Sequence, residues 1–355
     1  MMKVLAIGST FDLPEVYIFA GLVECGVSVE AVVSSDSRLV EKLEGFGIRC
    51  TVLDFRSKFD VRAILSLRRI LKSGDFDILH CLTARAVSNT LVASVGLRAK
   101  RIAYRGTSGR DSRLSPASWM TFLNPGIHKI ICVSNAVRSF MSTMVPASKL
   151  TTIYKGHDIK WYQAKGVVEL SEFGIPQGAF VVACVANMRP VKGVQHLLKA
   201  LRDIPPETNI RVLLIGEVRK SADMQELEDP AIAPRVHLAG FRADVGAILS
   251  RCQAFVLPSI SREGLPKAMM EALAIGVPTI VTDVGGMPEV VTHLKNGLVV
   301  PPADSGAIAK AILSLHADPE LAKTLGAAGQ RSIVETFNVA NSVEATLAVY
   351  RSLCP

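Results

Sequence analysis

The sequence predicts an α/β chain built as two doubly wound domains, each a parallel sheet wrapped by helices and the pair facing each other across a cleft. Three observations lead there. At 355 residues the chain suits two cores, given roughly 100 to 200 residues per domain. Short β-branched runs alternate with helical segments, the rhythm of parallel strands joined by crossover helices. That rhythm runs through twice. A polar stretch at 153–166, belonging to no periodic run, separates the two series and reads as a hinge.

In the first series, 3–9 reads as a buried strand, 14–26 as a helix stopped by Gly26, and 27–33 as the second strand. Residues 62–74 are helical up to Gly74, 77–82 form a strand, and 84–96 a helix. Strands at 100–106 and 129–134 follow, and Ser134 is placed to cap a helix beginning at Asn135. The second series has strands at 179–186, 210–216, 235–240, 254–259 and 278–283. Helices are expected over 194–204, 245–252 and from about Lys267 to Ile275. A last helix at 339–353 closes the chain. Domains are therefore expected over 1–160 and 161–336, with 337–355 as a closing segment.

With 49% hydrophobic and 20% charged residues, the composition excludes intrinsic disorder, and no run of about 18 apolar residues is present to span a bilayer. The first residues reach Asp12 and Glu15 after a short apolar stretch, unlike a secretory leader, so a cytoplasmic location is expected. Seven cysteines without any Cys-x-x-Cys imply neither a zinc site nor a disulfide framework. The seven histidines show no metal-binding spacing.

The net charge of +8 is unevenly spread: residues 1–165 hold 23 basic against 13 acidic side chains, and 166–355 hold 17 against 19. Such a bias suits an anionic partner or the inner face of an anionic membrane, with peripheral attachment, and nothing points to nucleic acid. Arg62, Arg68, Arg69 and Lys72 share a helix with Val61, Ile64, Leu65 and Leu71. That pattern fits a membrane interface. A doubly wound domain also needs such a helix to cover its sheet, and this second role is the one expected.

Residues 258–291 carry the densest chemistry. A strand ends at Pro258 and Ser259, a loop carries Glu263 and Gly264, and a helix starts near Pro266, where a missing amide is harmless. Amides at Leu265 and Lys267 and the helix dipole can hold phosphate between two carboxylates, Glu263 and Glu271. Each carboxylate can accept two hydrogen bonds from vicinal hydroxyls. The following loop, Asp283-Val284-Gly285-Gly286, again places glycines between a strand and a helix.

This stretch resembles the retaining glycosyltransferases of family 4, of the GT-B fold of two Rossmann-like domains, whose signature is two glutamates separated by seven residues. Glu263 and Glu271 match that spacing within E-G-L-P, E-A-L-A-I-G-V-P and V-G-G-M-P-E-V-V. The resemblance implies that Glu263 contacts donor sugar hydroxyls, that Glu271 contacts the nucleoside ribose, and that Gly264, Leu265, Pro266 and Lys267 form the diphosphate seat. A second match is 185–201, where the family places Lys-Gly after an Arg; here Lys192-Gly193 follows Arg189 by three positions, with Asn187 five before the lysine. Both cations would stabilise charge growing on the leaving diphosphate.

The first domain conforms less. Where the family has a Gly-Gly turn after its first strand, this chain has Gly8-Ser9, and where the family has His-Gly it has Arg105-Gly106. Arg105 cannot act as a base and is expected to orient donor or acceptor instead; Arg105, Thr107 and His157 are the residues expected on the acceptor side. The resemblance thus implies a metal-independent, retaining hexosyltransferase that needs no cofactor. Its donor would be a nucleotide diphosphate sugar and its acceptor a glycan or lipid-linked, lipopolysaccharide-like molecule. A nucleotide-sugar-binding subunit without transfer activity is the alternative. An NAD-dependent oxidoreductase is disfavoured because the turn after the first strand lacks Gly-x-Gly-x-x-Gly.

Overall fold

A computed structural model describes residues 1–109, 111–162, 166, 168–217 and 222–354; residues 163–165 of the expected hinge lie outside that set. The chain divides into two compact units, one made of Met1–Gly156 with Asn338–Pro355, the other of His157–Phe337. The crossings fall at 156/157 and 337/338, beside the expected boundaries at 160/161 and 336/337.

The first unit holds seven strands: β1 (Lys3–Ile7), β2 (Ser28–Val33), β3 (Arg49–Val52), β4 (Ile78–Cys81), β5 (Lys100–Arg105), β6 (Lys129–Cys132) and β7 (Leu150–Thr152). Their spatial order is β3-β2-β1-β4-β5-β6-β7, and every pair is parallel. The order reverses between β1 and β4, the switch point at which such sheets open a crevice beyond their carboxyl ends. Helix Leu13–Glu24 begins with a reciprocal cap, in which Asp12 accepts from the Glu15 amide and Glu15 accepts from the Asp12 amide. Ser134 caps Asn135–Ser142 by accepting from Val137 N.

The last helix, Val339–Leu353, packs on Leu13–Glu24. Gly21 permits the approach: a Cβ there would lie 2.6 Å from Val343. Tyr350 is fully buried and its hydroxyl meets His80 Nδ1 at 2.7 Å, tying this helix to β4. Burial, with Lys155 adding to it, pushes the His80 pKa down to about 3. Ser342 Oγ donates to Tyr154 O and accepts from Gly156 N, both at 2.8 Å, anchoring the chain just before it leaves the unit.

The second unit holds β8 (Phe180–Val185), β9 (Ile210–Ile215), β10 (Val236–Gly240), β11 (Ala254–Leu257), β12 (Thr279–Thr282) and β13 (Leu298–Val300). The order is β10-β9-β8-β11-β12-β13, again all parallel, so the switch point lies between β8 and β11. β11 is wholly buried and reads Ala-Phe-Val-Leu, as expected for a strand covered on both faces. Helix Lys267–Ile275 packs Met269, Met270, Ala272, Leu273 and Ala274 inward and ends at Gly276, in the left-handed conformation.

Candidate functional site

The loops after β8 and β11 flank the switch point of the second unit, and each delivers one charged side chain to it. Lys192 Nζ lies 2.6 Å from Glu263 Oε1. Ser259, at the end of β11 and fully buried, donates its hydroxyl to the same Glu263 oxygen at 2.5 Å. Glu263 is only 6% exposed, so its charge is held by two donors on one oxygen, while Oε2 takes no hydrogen bond among the described residues. An ammonium has three donors, and Lys192 has spent one of them here.

Glycines let these loops interlock. Gly193, at φ +66°, lies so close to the Pro258 carbonyl that a Cβ would come within 2.0 Å of its oxygen; Ile260 N bonds Val191 O alongside, at 2.9 Å. Gly285, at φ +60°, approaches the Glu263 carbonyl in the same way, at 2.1 Å. Thr282 Oγ1 donates to the Ser259 carbonyl. The loops after β8, β11 and β12 are thus one packed assembly built around Ser259 and Glu263. Arg262, the residue before Glu263, adopts φ +62° without being glycine; local strain of this kind persists where the surroundings fix it and is common at functional sites.

Glu271 stands on the second turn of helix Lys267–Ile275, 3.2 Å from Lys267 Nζ. Burial raises its pKa above the ordinary carboxylate value, and Lys267 works against that rise. No side chain caps this helix at its amino end, at Pro266, and Gly264 and Pro266 are buried while Leu265 is half-buried. Arg189 is exposed and its Nε donates to Asn187 Oδ1 at 3.2 Å. The structure therefore unites Lys192, Ser259 and Glu263 and leaves Arg189 on the solvent side of the same loop, paired with the residue that occupies the family's arginine position. Ser259 was not among the sequence-predicted site residues; its one signal is its place at a strand end four positions before Glu263.

In the first unit, Gly8 is buried and Ser9 half-buried in the loop after β1, at that sheet's own switch point; the Ser9 carbonyl accepts from Ser34 N at 2.8 Å. Arg105, at the end of β5, pairs with Asp111 and lies over the Phe122 ring, 4.4 Å from its centroid. Its Nε is buried without a partner among the described residues. Thr107 is exposed. His157, in the second unit, is 2% exposed, and its Nδ1 meets the Tyr162 hydroxyl at 2.6 Å. A cavity of about 670 Å³ opens by Ala179 and Val181 at the amino edge of the second sheet, away from the loops that carry Lys192 and Glu263.

Two family models match the chain: Glycosyltransferase Family 4 over residues 16–161 and Glycosyl transferases group 1 over 169–332. Each falls on one of the two doubly wound units. The chain belongs to the family 4 glycosyltransferases.

This family 4 chain is 28% identical over 207 residues to N-acetyl-alpha-D-glucosaminyl L-malate synthase of Bacillus anthracis, a match covering 58% of the chain and 54% of that protein. The aligned stretch thus spans about half the length of that relative. A UDP-Gal:alpha-D-GlcNAc-diphosphoundecaprenol alpha-1,3-galactosyltransferase of Escherichia coli is 23% identical over 308 residues, covering 82% of the chain and 79% of the relative. Among solved structures, Anabaena HepE in complex with UDP and glucose superposes with a TM-score of 0.83 at 20% identity, over 99% of this chain and 100% of that one. The likeness shows a shared GT-B fold, with its two parallel sheets of seven and six strands.

Proposed function

We propose that the chain is a retaining, metal-independent hexosyltransferase using a nucleotide diphosphate sugar. The convergence of Lys192 and Ser259 on one oxygen of Glu263, at the switch point of the second sheet, carries this reading. The donor diphosphate lies beside Lys192, against the amino end of helix Lys267–Ile275, whose dipole favours negative charge. Glu263 uses its second oxygen to accept from a sugar hydroxyl, and Glu271 accepts from the ribose. As the glycosidic bond to phosphate breaks, charge builds on the departing oxygen. The two remaining donors of Lys192, joined by Arg189, stabilise that charge more than they stabilise the ground state. The departing oxygen takes the proton of the incoming hydroxyl on the same face of the sugar, which preserves the anomeric configuration and requires no separate base. The fixed cations take the role a metal ion would otherwise fill.

The acceptor is a hydroxyl of a glycan or of a lipid-linked, lipopolysaccharide-like molecule. The Escherichia coli relative, whose name specifies a diphosphoundecaprenol-linked acceptor, and the basic first unit both support this class. Purified protein tested with a panel of nucleotide sugars for donor hydrolysis and transfer provides the test. Turnover abolished in Lys192→Ala and Glu263→Ala is the expected result. Donor binding without turnover on any acceptor would instead make the chain a nucleotide-sugar-binding subunit.

A further inference from the structure

Helix Val61–Gly74 answers a question its sequence leaves open. It covers the first sheet through Ala63, Ile64, Leu67 and Leu71, all buried. Val61 and Leu65 are not needed for that packing and remain 57% and 54% exposed; Phe59, just before the helix, is 52% exposed. At 100° per residue, Val61, Leu65, Arg68 and Lys72 fall in one line along the outer face, with Arg62 and Arg69 on its flank. Arg62, Arg69 and Lys72 are exposed and form no ion pair among the described residues.

Arg68 has a structural task, donating to Ala93 O and Val95 O at 2.8 Å, and this brings the exposed Val95 beside the same line. The helix and its neighbour Ala84–Ala93 together contain five basic residues, Arg62, Arg68, Arg69, Lys72 and Arg85, and no acidic one. Along the chain, the carboxylates nearest this helix stand at its two ends. Asp60 accepts from Ala63 N as the amino-terminal cap, and Asp75 follows the last turn.

We infer that this outer face docks the first unit on an anionic lipid bilayer, with Phe59, Val61 and Leu65 entering the interface and Arg62, Arg69 and Lys72 meeting lipid phosphates. Apolar side chains alternating with unpaired cations, and no acid on the face, match such a surface in both its parts: apolar area enters below the headgroups while each cation gains from the negative surface potential. The docking is a property of this face alone and does not depend on the transfer reaction.

Co-sedimentation of the full chain with vesicles tests it, using phosphatidylglycerol mixed with phosphatidylethanolamine against pure phosphatidylcholine. The chain is expected to bind the anionic vesicles at least tenfold more tightly, and less tightly as salt rises. Replacing Arg62, Arg69 and Lys72 together by Gln is expected to weaken binding about a hundredfold, at about fivefold per cation. Val61→Ser with Leu65→Ser is expected to weaken it about tenfold without changing its salt dependence. All five side chains point to solvent, so circular dichroism and donor hydrolysis should match those of the unaltered chain; if the triple variant misfolds, Arg62→Gln alone gives the same reading at a fivefold effect. Equal partition of the Gln variants and the parent, or equal binding to both vesicle types, would overturn the inference. Retention on immobilised polyglutamate without any vesicle binding would also overturn it, pointing to an acidic protein partner. Loss of donor hydrolysis in the unaltered chain would bear on the transfer reading alone.

Discussion

Glu263 is a buried carboxylate with both of its hydrogen bonds among the described residues on one oxygen, and that asymmetry makes its partners separable by mutation. Removing the Ser259 hydroxyl leaves Lys192 in place but frees the carboxylate to rotate. A hydrogen bond to a charged group is worth about 1.5–3 kcal/mol, so Ser259→Ala should cost roughly tenfold or more in kcat/KM, mostly in kcat, with little change in Tm. A rise in KM alone, or no change in either constant, would deny Ser259 its orienting role. Glu271 offers a pH test. Its raised pKa means that the ionised, hydroxyl-accepting form is lost earlier on acidification than for an ordinary carboxylate. Affinity for a nucleotide sugar, whose diester phosphates do not titrate in this range, should rise with pH through that pKa and then level. Lys267→Ala removes the opposing positive charge and should move the rise to higher pH. Glu271→Gln should flatten it, as titration calorimetry across pH would register.

At the scale of elements, the close loop contacts explain why two glycines cannot be exchanged. Gly285→Ala would set a Cβ against the Glu263 carbonyl and force a left-handed alanine, whereas Gly26, at φ +82°, has nothing within 4 Å of a Cβ. The Gly26→Ala variant should lose about 1 kcal/mol from backbone strain alone. Gly285→Ala should lose more stability and most of its activity, in a comparison of denaturant midpoints and turnover. Which elements could be read from sequence follows the same physics. Buried central strands such as β8 and β11 carry continuous apolar runs, and helices Lys267–Ile275 and Val339–Leu353 stand at their expected positions. The edge strands β3, β7 and β13 left no such signal. β3 has no buried residue, β7 reads Leu-Thr-Thr, and β13 has three residues. In the site, the charged spacing of Lys192, Glu263 and Glu271 was legible because motif and strand end coincide. Ser259 was not, since a serine after a strand looks like any loop residue until the fold turns it onto Glu263. Arg189 was legible as a cation but not in its pairing with Asn187, which depends on the local backbone.

Across the whole molecule, His80 and Tyr350 couple the first sheet to the end of the chain, and this coupling has a pH signature. Folded His80 stays neutral down to about pH 3, whereas in the unfolded chain it protonates near its ordinary value of 6.5. Unfolding therefore takes up a proton between those values. The contribution of His80 to stability is full above about pH 6.5 and declines as pH falls, by at most about 1.4 kcal/mol per unit. Denaturant titrations at pH 7 and pH 5 should show a smaller pH dependence in His80→Gln than in the parent. An unchanged dependence would mean that the imidazole titrates normally in the folded chain.

The segment 338–355 completes the first unit only after residues 157–337 have been made. During ribosomal synthesis the amino-terminal core must therefore wait, with the surface meant for Val343, Leu347 and Tyr350 still uncovered. The later-made unit, continuous in sequence, can reach its native state first. A chaperone that engages nascent chains would find its binding surface on helix Leu13–Glu24 until residues 338–355 have emerged and docked.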